Sequence, residues 1–282
     1  MYCCARNNKR TQMREKKKIR AALLIDGTYF YIINNYYGSV SRHKRSFEIP
    51  LLIQYFQKVI AKALKEKVDD IEFLHGHLYI GVRDSEINRF QSEEMVEYGD
   101  AGIVTHVSPL ITHPDGKSRE KGVDTSLVAD GTEWISRDEI DVLVLIAGDA
   151  DFIPLVRKSK KFKKNIFLFY WNINLGKDYK EDISTSGKLV EELEMTPEQK
   201  CVSLAINMER VIEKKKPNIF KQGLGFVHKG TILGKRGSQI LIRPSSYGDT
   251  KEYTEKEGEG FTVGQSVKYR IEEGEIFDLK PV

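Results

Sequence analysis

The chain has 282 residues, 30% of them charged and 40% in the AVILMFWYC set. That length suits about two domains, and the mix excludes collagen, a wholly disordered chain and a disulfide scaffold. Net charge is only +4, yet residues 1–20 hold eight Lys/Arg against Glu15, leaving about −3 for the rest. A basic arm on a mildly acidic body suits a polyanion such as nucleic acid, or else a solvated tail.

No run reaches the ~18 uncharged apolar residues of a membrane helix, and MYCCARNNKR lacks the apolar core of a secretory signal. Cys3, Cys4 and Cys201 form neither a disulfide framework nor a tetrahedral metal pattern. A reducing cytoplasm is the expected compartment.

In chain order, IRAALLID at 19–26 reads as a buried parallel strand ending in an Asp-Gly turn. Helices are expected over 29–37 and 48–66, joined by a basic connection. A second strand is IEFLHGHLYIGV at 71–82, followed by an amphipathic helix over 84–98 and a third strand over 102–107. Pro109, Pro114, Asp115 and Gly116 mark 108–121 as a loop. A helix over 123–135 precedes DVLVLIA at 141–147, the most apolar and therefore central strand. A helix over 152–160 and the strand NIFLFYW at 165–171 follow. Alternating strands and helices predict a parallel sheet covered on both faces, with functional groups at the carboxyl ends of its strands.

Thr196-Pro197-Glu198 looks like a helix start, so 196–217 is expected to be a helical linker. Beyond it, short strands over 225–227, 231–233, 239–243, 266–271 and 275–279 predict a β-barrel of roughly 60 residues. The expected organisation is a tail (1–18), an α/β domain (19–195), the linker (196–217) and a barrel (218–282).

Four carboxylates fall where the sheet rule points. Asp26 closes the first strand. Asp149 and Asp151 follow the fourth strand in G-D-A-D-F, and Asp124 opens the helix of K-G-V-D-T-S-L-V-A-D. Gathered carboxylates repel one another, which a hard divalent cation relieves. Each also has a plain reading as a helix cap or turn residue. His75 and His77 would face one side of their strand, more simply as structural histidines than as a metal pair, since no third ligand is apparent. The cations Arg157, Lys158, Lys160, Lys161, Lys163 and Lys164 sit at a helix end, where they complement its dipole or track phosphate.

Lys121-Gly-Val-Asp124 through Asp130, the strand Leu143 to Ile146, and Gly148-Asp149-Ala-Asp151-Phe152-Ile-Pro154-Leu-Val156 together resemble the NYN branch of the PIN-like nucleases, closest to the LabA-like group. The resemblance covers about residues 19–195. It implies a PIN-like three-layer α/β/α fold and a metal-dependent ribonuclease. It implies that Asp26, Asp124, Asp149 and Asp151 hold Mg²⁺ or Mn²⁺ and are catalytic. Thr28, Tyr29, Lys121 and Asp130 become supporting or substrate-contacting residues. One departure stands out: the family usually has Asn three residues after the first Asp, where this chain has Tyr29. An RNA-binding adaptor with little or no turnover is therefore the alternative. A haloacid-dehalogenase-like phosphatase fails, because its second Asp would stand at Thr28.

Lys221-Gln-Gly-Leu-Gly-Phe226-Val and Phe261-Thr-Val-Gly-Gln-Ser-Val-Lys-Tyr-Arg-Ile271 resemble strands of a cold-shock or S1-like OB fold. That resemblance implies RNA contacts through Phe226, His228, Lys229 and Arg243. Leu224 replaces one expected aromatic, which weakens base stacking. RNA is the expected partner. Nothing in the sequence separates it from DNA, and the oligomeric state, self-association included, is left open.

Overall fold

A computed structural model describes residues 17–41, 45–83, 95–112, 118–119, 122–175, 182–195, 201–221, 228–236, 239–244, 260–272 and 275–282. The first domain is built on a six-stranded parallel sheet. Its strands are β1 (Ile19–Asp26), β2 (Ile71–Val82), β3 (Val104–Pro109), β6 (Val142–Ile146), β7 (Asn165–Tyr170) and β8 (Ser203–Asn207), in the order β3-β2-β1-β6-β7-β8.

Strand periodicity divides the core in two. Ala21, Leu23 and Ile25 of β1, Val142, Val144 and Ile146 of β6, and Phe167 and Phe169 of β7 face one side. They meet α1 (Gly27–Asn35), α2 (Ile49–Leu64) and α7 (Met208–Lys215) through Phe30, Phe56, Ile60, Met208 and Ile212. The alternate residues Ala22, Leu24, Leu143, Leu145, Ile166 and Leu168 face the other side. There α4 (Val123–Ser136), α5 (Ile153–Lys161) and α6 (Gly187–Glu194) supply Leu127, Trp134, Leu155, Val156, Leu189 and Leu193. Burying each such side chain stabilises the fold by about 1.5–3 kcal/mol. The three layers are those expected.

Several local readings change. The stretch 196–217 is not one linking helix. Residues 203–207 form β8, paired in parallel with β7, and Asn207 then caps α7 by accepting the Arg210 N–H at 3.1 Å. Edge pairing to β7 supplies the backbone partners and overrides the helix signal. The loop over 108–121 contains a short antiparallel ladder between β4 (Ile111–Thr112) and β5 (Ser118–Arg119). Helix α1 begins two residues early and continues into a π-helical turn at Tyr36–Val40. Of the helix expected over 84–98, residues 95–100 form α3, and 84–94 lie outside the described residues.

Arg20, counted above with the basic arm, is tied into the fold. Its Nε and Nη2 donate to Asp141 Oδ2 and Oδ1 at 3.0 and 2.8 Å, joining the starts of β1 and β6. Burial opposes ionisation of Asp141, but the guanidinium and the Arg20 N–H hold its carboxyl below the usual value. A depressed folded-state pKa gives stability present above the unfolded value and lost as pH falls through the folded one. Asp141→Asn is expected to cost about 1.5–3 kcal/mol at neutral pH. Urea unfolding across pH 2–6 would show the difference from wild type shrinking below about pH 4.

The second unit is a four-stranded antiparallel sheet of β9 (His228–Arg236), β10 (Gln239–Pro244), β11 (Ser266–Glu272) and β12 (Glu275–Pro281), in the order β10-β9-β11-β12. Ile232, Ile240, Ile242, Val267 and Tyr269 form its small core. The strand expected over 225–227 lies outside the described residues.

Candidate active site at the carboxyl edge of the sheet

Asp26 is the last residue of β1, and Ile25 pairs with Ile146, the last residue of the adjacent β6. Asp149 and Asp151 therefore follow β6 at the same sheet edge. Asp26 Oδ1 accepts the Tyr29 N–H at 3.1 Å and caps α1. Asp149 Oδ1 accepts the Asp151 N–H at 3.0 Å and caps the 3₁₀ turn Ala150–Phe152. The plain capping role is thus real for both. A carboxylate has about four lone-pair sites, so for Asp149 the capping bond leaves further capacity. Asp149 and Asp151 are exposed, whereas Asp26 and Asp124 are half-buried.

Asp124 lies in the first turn of α4, which follows an N-cap, Gly122, in the left-handed region (φ 82°). The helix lies close on β1: a Cβ at Gly131 would stand 2.7 Å from Leu24 Cδ1. The four aspartates do not form a group whose ligand atoms all lie within 4.8 Å of one another. Lys121 lies outside the described residues.

Tyr29 has a clear task. Its ring covers Gly148, where a Cβ would stand 2.6 Å from Tyr29 Cε2. Its phenol oxygen accepts the Trp171 N–H at 2.8 Å and lies 2.7 Å from Thr185 Oγ1 and 3.0 Å from the Trp171 carbonyl oxygen. Burial pushes the phenol up to about 12, against the pull of these hydrogen bonds. Tyr29 thereby ties α1 to the residue before Asp149 and to the end of β7. Thr28, beside it, is half-buried.

Three cations of the basic run after Asp151 are engaged elsewhere. Arg157 donates to Glu192 Oε2 at 2.9 Å, Lys160 to the Glu192 and Met195 carbonyls, and Lys164 pairs with Asp138. This supports the structural reading of these residues over a phosphate track.

A second polar group sits on the α4 face. The row Asp26–Tyr79–His106 runs across β1, β2 and β3 in register. Tyr79 Oη donates to Asp130 Oδ2 of α4 at 2.5 Å, and His106 Nε2 lies 2.9 Å from His77 Nδ1. Burial and His106 push the His77 pKa down to about 4, against the pull of Asp130. The third partner that His75 and His77 lacked in sequence comes from β3 and α4. His75 itself stacks on Trp134 at 4.5 Å. Asp130 thus serves Tyr79. Only the H-x-H-x-Y alternation of β2 hinted at this group. Its other members come from strand register and helix placement.

Residues 20–183 match the NYN domain family. The chain belongs to that family. The fold fits the PIN-like architecture of the group: a parallel sheet between helical layers with acidic residues at its carboxyl edge. The NYN chain is also 27% identical over 103 residues to "Uncharacterized protein MJ0482" of Methanocaldococcus jannaschii. That match spans 36% of this chain and 38% of that protein. A crystal structure of a protein described as a UDP-N-acetylglucosamine 2-epimerase, from Listeria monocytogenes, shares 12% identity at a TM-score of 0.27, over 64% of this chain and 44% of that one. The NYN domain belongs to the PIN-like nuclease superfamily, and no helix among the described residues is long and apolar enough to cross a membrane.

Proposed function

We propose that the NYN domain is a metal-dependent endoribonuclease. The observation that carries this reading is the family match over residues 20–183, together with Asp26, Asp149 and Asp151 at the carboxyl ends of the adjacent strands β1 and β6. The donors are all carboxylate oxygens, and two of the four residues are exposed, which fits a hard ion such as Mg²⁺ or Mn²⁺. Asp26, Asp124, Asp149 and Asp151 would hold it. A cation bound there supplies Lewis-acid activation of water and neutralises charge on the phosphoryl oxygens.

The chain's own residues prepare that edge. Asp26 and Asp149 are oriented by the N–H groups they cap. Tyr29 covers Gly148, and Gly131 lets α4, which carries Asp124 in its first turn, pack close on Leu24 of β1. The basic arm and the C-terminal sheet would recruit RNA by charge, with binding that weakens steeply with salt. In that sheet the β9–β11 pairing across a long connection supports an OB-like barrel rather than a simple meander. Arg243 is exposed and Lys229 half-buried. Phe226 and the His228 side chain lie outside the described residues.

End-labelled single-stranded RNA, with DNA in parallel, would be incubated with Mn²⁺, Mg²⁺ or EDTA. Cleavage should need the metal. Asp149→Asn/Asp151→Asn should lower it by roughly 10²–10³-fold, as for other losses of transition-state charge stabilisation. The second reading is an RNA-binding adaptor. It is favoured by Tyr29, whose side chain occupies the usual Asn position and is committed to Trp171 and Thr185. Intact RNA in every lane with a salt-sensitive gel shift would decide for the adaptor.

A further inference from the structure

We propose that His77, His106 and Asp130 form a binding site for one zinc-class divalent cation, separate from the four-aspartate edge. The three side chains come from β2, β3 and α4, and their ligand atoms all lie within 4.8 Å of one another. The two imidazoles face each other through His77 Nδ1 and His106 Nε2 at 2.9 Å. Ligands ~2.0–2.1 Å from one tetrahedral ion stand about 3.3–3.4 Å apart, so this gap needs to open by only about 0.4–0.5 Å. Two imidazoles and a carboxylate suit zinc and its first-row neighbours, whereas an all-oxygen set suits Mg²⁺.

The rings are already oriented. His106 stacks on Tyr79 with centroids 4.4 Å apart and planes 5° apart, and His77 stands edge-on to Trp134 at 4.8 Å. Tyr79 Oη donates to Asp130 Oδ2 at 2.5 Å. Such outer contacts fix ligand geometry before the ion arrives. All three residues are half-buried, so an ion can enter and a water can fill the fourth position. The bound cation would clip α4 to β2 and β3. Asp124 rides on that helix, so the clip would also steady the neighbouring acidic edge.

The test is zinc titration of the tag-free, EDTA-stripped full chain by calorimetry, followed by Co²⁺ absorption spectra. Wild type should bind one zinc ion tightly. His106→Gln and His77→Gln should each weaken it by at least ~10–100-fold, and Asp149→Asn/Asp151→Asn should leave it unchanged. Co²⁺ in wild type should give the visible bands of a four- or five-coordinate nitrogen–oxygen site. That spectrum decides the matter even if a histidine variant fails to fold. Wild type without such bands, or zinc binding of equal strength in the histidine variants, would overturn the site. Loss of zinc in the aspartate variant with the histidine variants intact would assign the ion to the sheet edge instead.

Discussion

Tyr29→Asn is expected to lower the unfolding free energy by about 3–5 kcal/mol, the range for removing a packed aromatic ring. Two losses combine. The ring no longer covers Gly148, and the Trp171 N–H and Thr185 hydroxyl lose the phenol oxygen that lies 2.8 and 2.7 Å away. Tyr29→Phe separates them, since it keeps the ring and should cost only about 1–3 kcal/mol for the unmatched polar groups. Urea unfolding with comparison of m-values would measure both. An Asn variant within 1 kcal/mol of wild type would mean that the phenol does not anchor this corner. The same arithmetic bears on catalysis: putting the family's usual Asn at 29 removes a structural tie, so activity of that variant must be compared per folded molecule.

Gly27→Ala is expected to destabilise by about 3 kcal/mol, although alanine is the better helix former by about 1 kcal/mol. Sterics decide the sign. A Cβ at 27 would stand 2.6 Å from the Tyr79 carbonyl oxygen and 2.7 Å from Ile80 Cβ, and a strand backbone cannot swing aside like a surface side chain. Relief requires α1 to lift from β2, and Asp26, its N-cap, would move with it. RNA cleavage should therefore fall together with Tm. A variant as stable as wild type would show that the α1–β2 gap opens freely.

The continuous apolar strands were the easiest part of the fold to read. IRAALLID and DVLVLIA are buried on both faces, and no amphipathic helix has that composition. Asp26, Asp149 and Asp151 followed from the rule about carboxyl ends, because position in an α/β sheet fixes that edge. Strand β8 was hidden. Its residues SLAIN are half-buried or, at Leu204, exposed, and their partner is the backbone of β7 rather than any local pattern. The role of Tyr29 was also hidden, since Trp171 and Thr185 stand about 140 and 160 residues away in the chain. His77, His106 and Asp130 met only through register: His106 pairs with Tyr79, and α4 crosses above them. Sequence shows residue types and local spacing, whereas these sites depend on which strands become neighbours.

The sixth strand also sets an order of events during synthesis. Ile166 to Phe169 of β7 are wholly buried in the finished fold. Until residues 203–207 have left the ribosome, β7 is the sheet's border, with an open row of amides beside strongly apolar side chains. Such a border is a template for pairing with another nascent chain. Strand β8 shuts it with a half-polar strip, and α7 then brings Met208 and Ile212 onto the same core. In that interval the chain is open to misassembly at the side opposite β3, and the strand that ends this exposure was hidden in its sequence.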